Sequence, residues 1–149
     1  MNTGQIEYLL SRHCGSSFNG VYACDRLPKS SVQDGIYVCN TDPVDQPGEH
    51  WVVVWIDGER SEYFDSYGLK PYIHQIADFV HANAKIVKYN NVSLQGPSSQ
   101  VCGHYAIFFA VCKSKCMSME TVLSMFSSDR NMNDLKVYEY ICNLANYCI

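Results

Sequence analysis

The sequence predicts an α+β fold in which a mostly antiparallel sheet wraps around one central helix. Three observations carry that expectation. β-prone runs cluster between residues 35 and 94, helical stretches flank them, and residues 102–113 are apolar almost all round, as in a helix buried on most sides. With 149 residues, 47% of them apolar and 13% aromatic, the chain has the size of one domain, 1–149, around a continuous core.

The elements follow in order. Ile6, Leu9 and Leu10 stand at helical spacing and predict an opening helix over 3–11. Residues 15–31 read as loop, with Phe18, Val21 and Tyr22 as anchors. Gly35 to Cys39 is a short strand closed by the turn formers of 40–48. Trp51-Val-Val-Val-Trp-Ile56 and Tyr63-Phe64 flank Asp57-Gly58, the strongest short hairpin signal a sequence offers. Ile73, Ile76, Ala77 and Val80 give residues 72–83 a one-sided helical stripe that would lie on the sheet, and 85–94 alternates as a further strand. After the central helix, 118–126 and 134–147 supply two more, the last with Leu135, Tyr138, Ile141, Cys142 and Ala145 on one face.

Composition narrows the function. Eleven basic residues against fifteen acidic ones give a formal charge of −4, and no stripe of Lys or Arg could track phosphates, so nucleic acid is not the expected partner. Residues 1–11 lack the charged start and long apolar run of a secretory signal, and nothing approaches the roughly 18 apolar residues that span a bilayer. Eight cysteines raise the alternative of a disulfide-stapled exported protein, but Cys102, Cys112 and Cys142 fall on apolar helical faces, where a free thiol behaves as a small hydrophobe. A reduced, intracellular protein is expected. No paired C-x-x-C set exists, so no metal is expected either.

Two segments carry chemistry. If Asp57-Gly58 is the hairpin loop, His50 lies directly opposite Asp65, with Cβ atoms about 4.5–5.5 Å apart. The carboxylate would then fix the imidazole tautomer and leave the other ring nitrogen free as a base. A Gly58-Glu59 loop instead sets His50 against Tyr67 and needs a bulge to bring Asp65 back. The second segment is Q-G-P-S-S-Q-V-C-G, residues 95–103. Its Gly-Pro-Ser-Ser run cannot be helical, so the following helix begins at Cys102, and a thiol there feels the positive end of the helix dipole. Gly103 removes a side chain that would crowd a substrate, the Cys102 N–H can receive an oxyanion, and the Gln95 amide can donate to the same oxygen. His13, His74, His81 and His104 read as surface or core residues.

The segments P-G-E-H-W (47–51), Y-F-D-S-Y-G (63–68) and Q-G-P-S-S-Q-V-C-G (95–103), in that order, resemble the His-Trp, Asp/Glu and Gln…Cys-Gly boxes of the adenovirus-type cysteine proteases. F-N-G-V-Y-A-C-D-R-L-P (18–28) and Y-V-C-N-T (37–41) extend the likeness from about residue 4 to residue 112. Proteases that process ubiquitin-like modifiers are similar more distantly.

The resemblance implies a cysteine-protease fold and an endopeptidase. Cys102 would be the nucleophile, His50 the general base, Asp65 its orienter and Gln95 the oxyanion donor, with Trp51 a wall of a narrow, glycine-preferring cleft and no cofactor. The implied partner is a protein substrate, a viral or transposon polyprotein or structural protein, and the implied location is a host cell's nucleus or cytoplasm, or a virion. Two departures stand out. Ala84 occupies the position, eleven residues before Gln95, where the adenovirus enzyme has the cysteine that captures an activating peptide. The chain is also acidic, whereas that enzyme is basic and uses DNA. An activating peptide and DNA are therefore partners for which this sequence offers no support. An isopeptidase acting on ubiquitin-like modifiers, an acetyltransferase using the same thiol, and a binding module without activity are the alternatives.

Overall fold

A computed structural model describes residues 1–146. The chain runs α1 (Thr3–Cys14), β1 (Phe18–Ala23), β2 (Gly35–Asn40), β3 (Trp51–Asp57), β4 (Arg60–Phe64), α2 (His74–Ala82), β5 (Ile86–Tyr89), α3 (Cys102–Ser114), α4 (Met119–Ser124) and α5 (Arg130–Asn146). The five strands form one sheet in chain order, β1 to β5. The class is α+β as expected, with the thiol-bearing helix α3 packed on the sheet. The antiparallel character is confined to the centre: β2, β3 and β4 pair antiparallel, while β1 on β2 and β5 on β4 are parallel.

Strand alternation divides the core. Ile36 and Val38 of β2, with Val53 of β3 and Phe64 of β4, face a cluster formed with α1, α3 and Val137 and Ile141 of α5. Tyr37 and Cys39, Val52, Val54, Ile56 and Tyr63 face the other way and meet Ile76, Phe79 and Val80 of α2. Helices thus cover both faces, which explains why β3 is an unbroken apolar run and not an alternating one. Ten of the thirteen residues of α3 are buried, and its Phe109 ring stacks on Phe64 with centroids 4.4 Å apart. A capping box starts α1: Asn2 Oδ1 accepts the Gln5 N–H at 2.9 Å, and Gln5 Oε1 accepts the Asn2 N–H at 2.9 Å.

Four local expectations are corrected. Residues 18–23 are a strand, hidden from pattern reading because every one of its side chains is half-buried and Gly20, at φ 116°, interrupts it. The strand over 85–94 is only Ile86–Tyr89, because Asn90 leaves the ladder to bind the turn after β4. Helix α5 buries Asn133, Val137 and Ile141, leaving Leu135, Tyr138 and Cys142 exposed; its expected last residue, Tyr147, lies outside the described residues. The hairpin loop is Gly58-Glu59, since Asp57 pairs with Arg60 and Val53 with Phe64. Among the described residues all seven cysteines are free, and no helix is long and apolar enough to cross a membrane.

Candidate active site

The hairpin register determines how the site is assembled. With Gly58-Glu59 as the loop, His50 and Asp65 are not direct neighbours across the ladder: His50 immediately precedes β3 and Asp65 immediately follows β4. The chain turns sharply after Phe64, closed by the Gly68 N–H on the Asp65 carbonyl at 2.8 Å, with Gly68 at φ 72°. That turn swings the Asp65 carboxylate beneath the imidazole, so His50 Nε2 lies 2.9 Å from Asp65 Oδ1. Tyr67, the residue the register sets against His50, stacks its ring on the imidazole with centroids 5.1 Å apart. The register with Gly58-Glu59 as the loop is therefore the one realised, setting Tyr67 against His50 as that register requires, while direct opposition of His50 and Asp65 is replaced by a turn that brings the carboxylate back.

Asp65 is fully buried and tied from several sides. Its Oδ1 also accepts the Tyr67 N–H at 2.8 Å, and the Asn90 side chain accepts the Asp65 N–H at 2.9 Å while donating to its carbonyl at 2.6 Å. With Nε2 committed to Asp65, Nδ1 is the nitrogen left for the thiol, and His50 and Cys102 are hydrogen-bonded to one another.

Electrostatics favour an ion pair between them. Burial works against the imidazolium, but the hydrogen bonds and charges of Asp65 and Cys102 outweigh it and raise the His50 pKa to about 9. Burial likewise opposes a thiolate at Cys102, yet the His50 hydrogen bond and charge, with backbone N–H groups of Trp51 and Gly103 aimed at the sulfur, bring its pKa below the ordinary thiol value. The buried Cys14, Cys24, Cys39 and Cys112 are pushed the other way by desolvation. One thiol is thus singled out, at the first residue of α3, where helical N–H groups lack intrahelical acceptors.

Gln95 lies across the same cleft. The α5 helix clamps its loop: Asn133 Nδ2 donates to the Leu94 carbonyl at 3.2 Å, and Asp134 accepts the Gly96 N–H at 3.2 Å and the Tyr105 hydroxyl at 2.8 Å. The cleft has a volume of about 740 Å³ and is lined by His50, Trp51, Tyr67, Tyr72, Gln95 and Cys102 among others. Trp51 is a wall of it, and its indole N–H donates to the Met1 carbonyl at 3.1 Å. Gly103 makes room for protein and not, as expected, for a substrate: a Cβ there would stand 3.1 Å from Met1 Cβ and 3.3 Å from Trp51 Cδ1.

All six residues singled out from the sequence come together. Asn90 and the backbone of Trp51 are parts of the site that the sequence reading misses. Tyr67, inside the Y-F-D-S-Y-G segment, is reached by the alternative register alone, whereas Asn90, 25 residues from Asp65, leaves no local signal.

A buried carboxylate, an imidazole and a thiol stand in series with an amide across the cleft, an arrangement with the groups that thiol-dependent acyl transfer needs. No protein-family model matches the chain. The cysteine protease of African swine fever virus is 26% identical over 114 residues, which span 68% of this chain and 41% of that protein. Two crystal structures of the African swine fever virus protease superpose with TM-scores of 0.62 and 0.58 at 18% and 20% identity, over 92% and 91% of this chain and 66% and 65% of theirs. The chain thus matches a viral cysteine protease in sequence and has its fold, the sequence match spanning 41% of that protein and the structural matches about two thirds of theirs.

Proposed function

We propose that the protein is a cysteine endopeptidase in which Cys102 is the nucleophile, His50 the general base and acid, Asp65 its orienter and Gln95 an oxyanion donor. The observation that carries this reading is the series Asp65–His50–Cys102, in which the imidazole bonds a fully buried carboxylate through Nε2, so that Nδ1 is the nitrogen left for the neighbouring thiol.

The chemistry balances with these groups alone. The Cys102 thiolate adds to the scissile carbonyl carbon, and the carbonyl electrons move onto oxygen, where the Gln95 amide and N–H groups at the start of α3 stabilise them. Collapse re-forms the carbonyl and expels the amine, which takes the imidazolium proton and leaves a thioester. A water molecule then gives a proton to neutral His50 and attacks the thioester, releasing the acid and restoring the thiolate–imidazolium pair.

The likeness of the three sequence boxes to adenovirus-type proteases, and the match to a viral protease, support a substrate among viral or transposon structural proteins, cleaved beside glycine. Trp51, which lines the same cleft as Cys102, supports the glycine preference as one of its walls. Profiling a peptide library with wild type and Cys102→Ala side by side tests this: glycine-flanked cleavage by wild type alone is expected, and cleavage retained by the variant would overturn the nucleophile. Ubiquitin-like proteins extended by Gly-Gly and acetyl-coenzyme A, run in parallel, report isopeptidase or acetyltransferase activity instead.

A further inference from the structure

We infer that Ser66 is a positioning residue that, together with the Ser99 carbonyl, holds the donating end of the Gln95 amide toward the cleft; the inference rests on the protease reading for its catalytic consequence. Ser66 is completely buried. Its hydroxyl donates to Gln95 Oε1 at 2.6 Å, and its carbonyl accepts the N–H groups of Leu94 at 2.8 Å and Gln95 at 3.1 Å. On its other side Gln95 Nε2 donates to the Ser99 carbonyl at 2.9 Å.

A side-chain amide is nearly symmetric in shape but not in chemistry, since one end only accepts and the other only donates. Nε2 has two hydrogens. Ser99 takes one, and the second is left for the cleft that Gln95 lines. Rotating the amide by half a turn would set two acceptors, Oε1 and the Ser99 carbonyl, against each other, and would present an acceptor to a developing oxyanion. The Ser66 hydroxyl reinforces the productive orientation because it supplies Oε1 with a hydrogen in a place closed to water. Without it, a buried carbonyl oxygen loses its partner and the amide is free to swing.

Sequence adjacency gives this economy of parts. Asp65 holds the base and Ser66 the oxyanion donor, both from one turn. That turn is seated directly on the loop leading to Gln95: a Cβ on Gly68 would lie 2.7 Å from the Val92 carbonyl carbon, so only glycine permits the approach. The Y-F-D-S-Y-G segment therefore orders both halves of the site, not the base alone.

Ser66→Ala should lower kcat about tenfold, a fraction of the 100- to 1000-fold loss typical of removing an oxyanion donor outright. KM, the pH limits of activity and the rate of Cys102 alkylation should not change. Ser66→Cys, which keeps a weak S–H donor, should fall between. Placed in a Gln95→Ala background, Ser66→Ala should cost almost nothing further, because its route of action is already gone. An equal loss in both backgrounds would mean a general structural role and overturn the inference. Solvent exchange of the Gln95 side-chain amide hydrogens, followed by NMR, reads the positioning without any substrate: Ser66→Ala should accelerate it several-fold. Unchanged exchange defeats the inference whatever the activity; accelerated exchange in a protein that cleaves no peptide defeats only the protease reading.

Discussion

Helix α3 has a buried ionic pair near each of its ends, and the two pairs do different things. At the N-terminal end stand His50 and Asp65, 2.9 Å apart, beside Cys102. At the C-terminal end Lys113 Nζ lies 2.7 Å from Glu62 Oε2 and 3.8 Å from the centroid of the Trp55 ring. Burial is similar, and both pairs border a hollow in the surface. What differs is valence. An imidazole held by one nitrogen has another to offer, and it is offered to a thiol whose proton it can take. The ammonium of Lys113 is enclosed by a carboxylate and an indole face, which hold its charge in place. A buried pair becomes reactive when one partner is bifunctional and meets a third group; otherwise it is a fixture of the core.

Substitutions can break this contrast. Cys102→Ala should remove peptide cleavage by at least about 1000-fold while leaving the thermal midpoint nearly unchanged, as kinetics and a melting curve would report. Lys113→Met should do the reverse: stranding the Glu62 carboxylate costs about 3–5 kcal/mol of stability, measured by urea unfolding, with kcat per folded molecule unaltered. A variant in which Lys113→Met stops catalysis without destabilising the fold would dissolve the distinction. Asp65→Asn should lower kcat about 10- to 100-fold and, by withdrawing the charge that raises the imidazole pKa, move the alkaline limit of activity downward from about 9.

The finest test separates the two members of the ion pair by pH. The pair exists between the depressed pKa of Cys102 and the raised pKa of His50, about 9. Iodoacetamide should reach Cys102 before the more exposed Cys116 and Cys142 at pH 6–7, located by mass spectrometry. Above pH about 9 the thiolate persists but the imidazolium that protonates the leaving amine is lost, so cleavage should fall while alkylation continues. Parallel decline of both would mean that the assigned pKa order is wrong.

Much of the candidate site is legible in the sequence, for local reasons. A Gly-Pro-Ser-Ser run forces the helix to begin at Cys102, and a helix start is a place where a thiol ionises easily. His50 and Asp65 could be set near each other because a two-residue hairpin fixes register. The register itself was legible only to within one step, since Asp-Gly and Gly-Glu are both feasible loops between the same apolar runs. That one step changed the means by which Asp65 arrives, from direct pairing to the turn closed at Gly68. The exposed face of α5 was misjudged because Leu135 and Tyr138 are apolar, whereas the helix buries Asn133 to hold the Leu94 carbonyl.

The chain's own order of residues determined where the elements start and which functional groups the site can draw on, because helix ends, turns and hairpins are settled by nearest neighbours. Only the tertiary structure decided how those groups are aimed: Asn90 on the Asp65 backbone, Ser66 on the Gln95 amide and Asp134 on Gly96 join segments 25, 29 and 38 residues apart. Hydrogen bonds over such separations depend on packing in three dimensions, and packing leaves no trace in a local pattern.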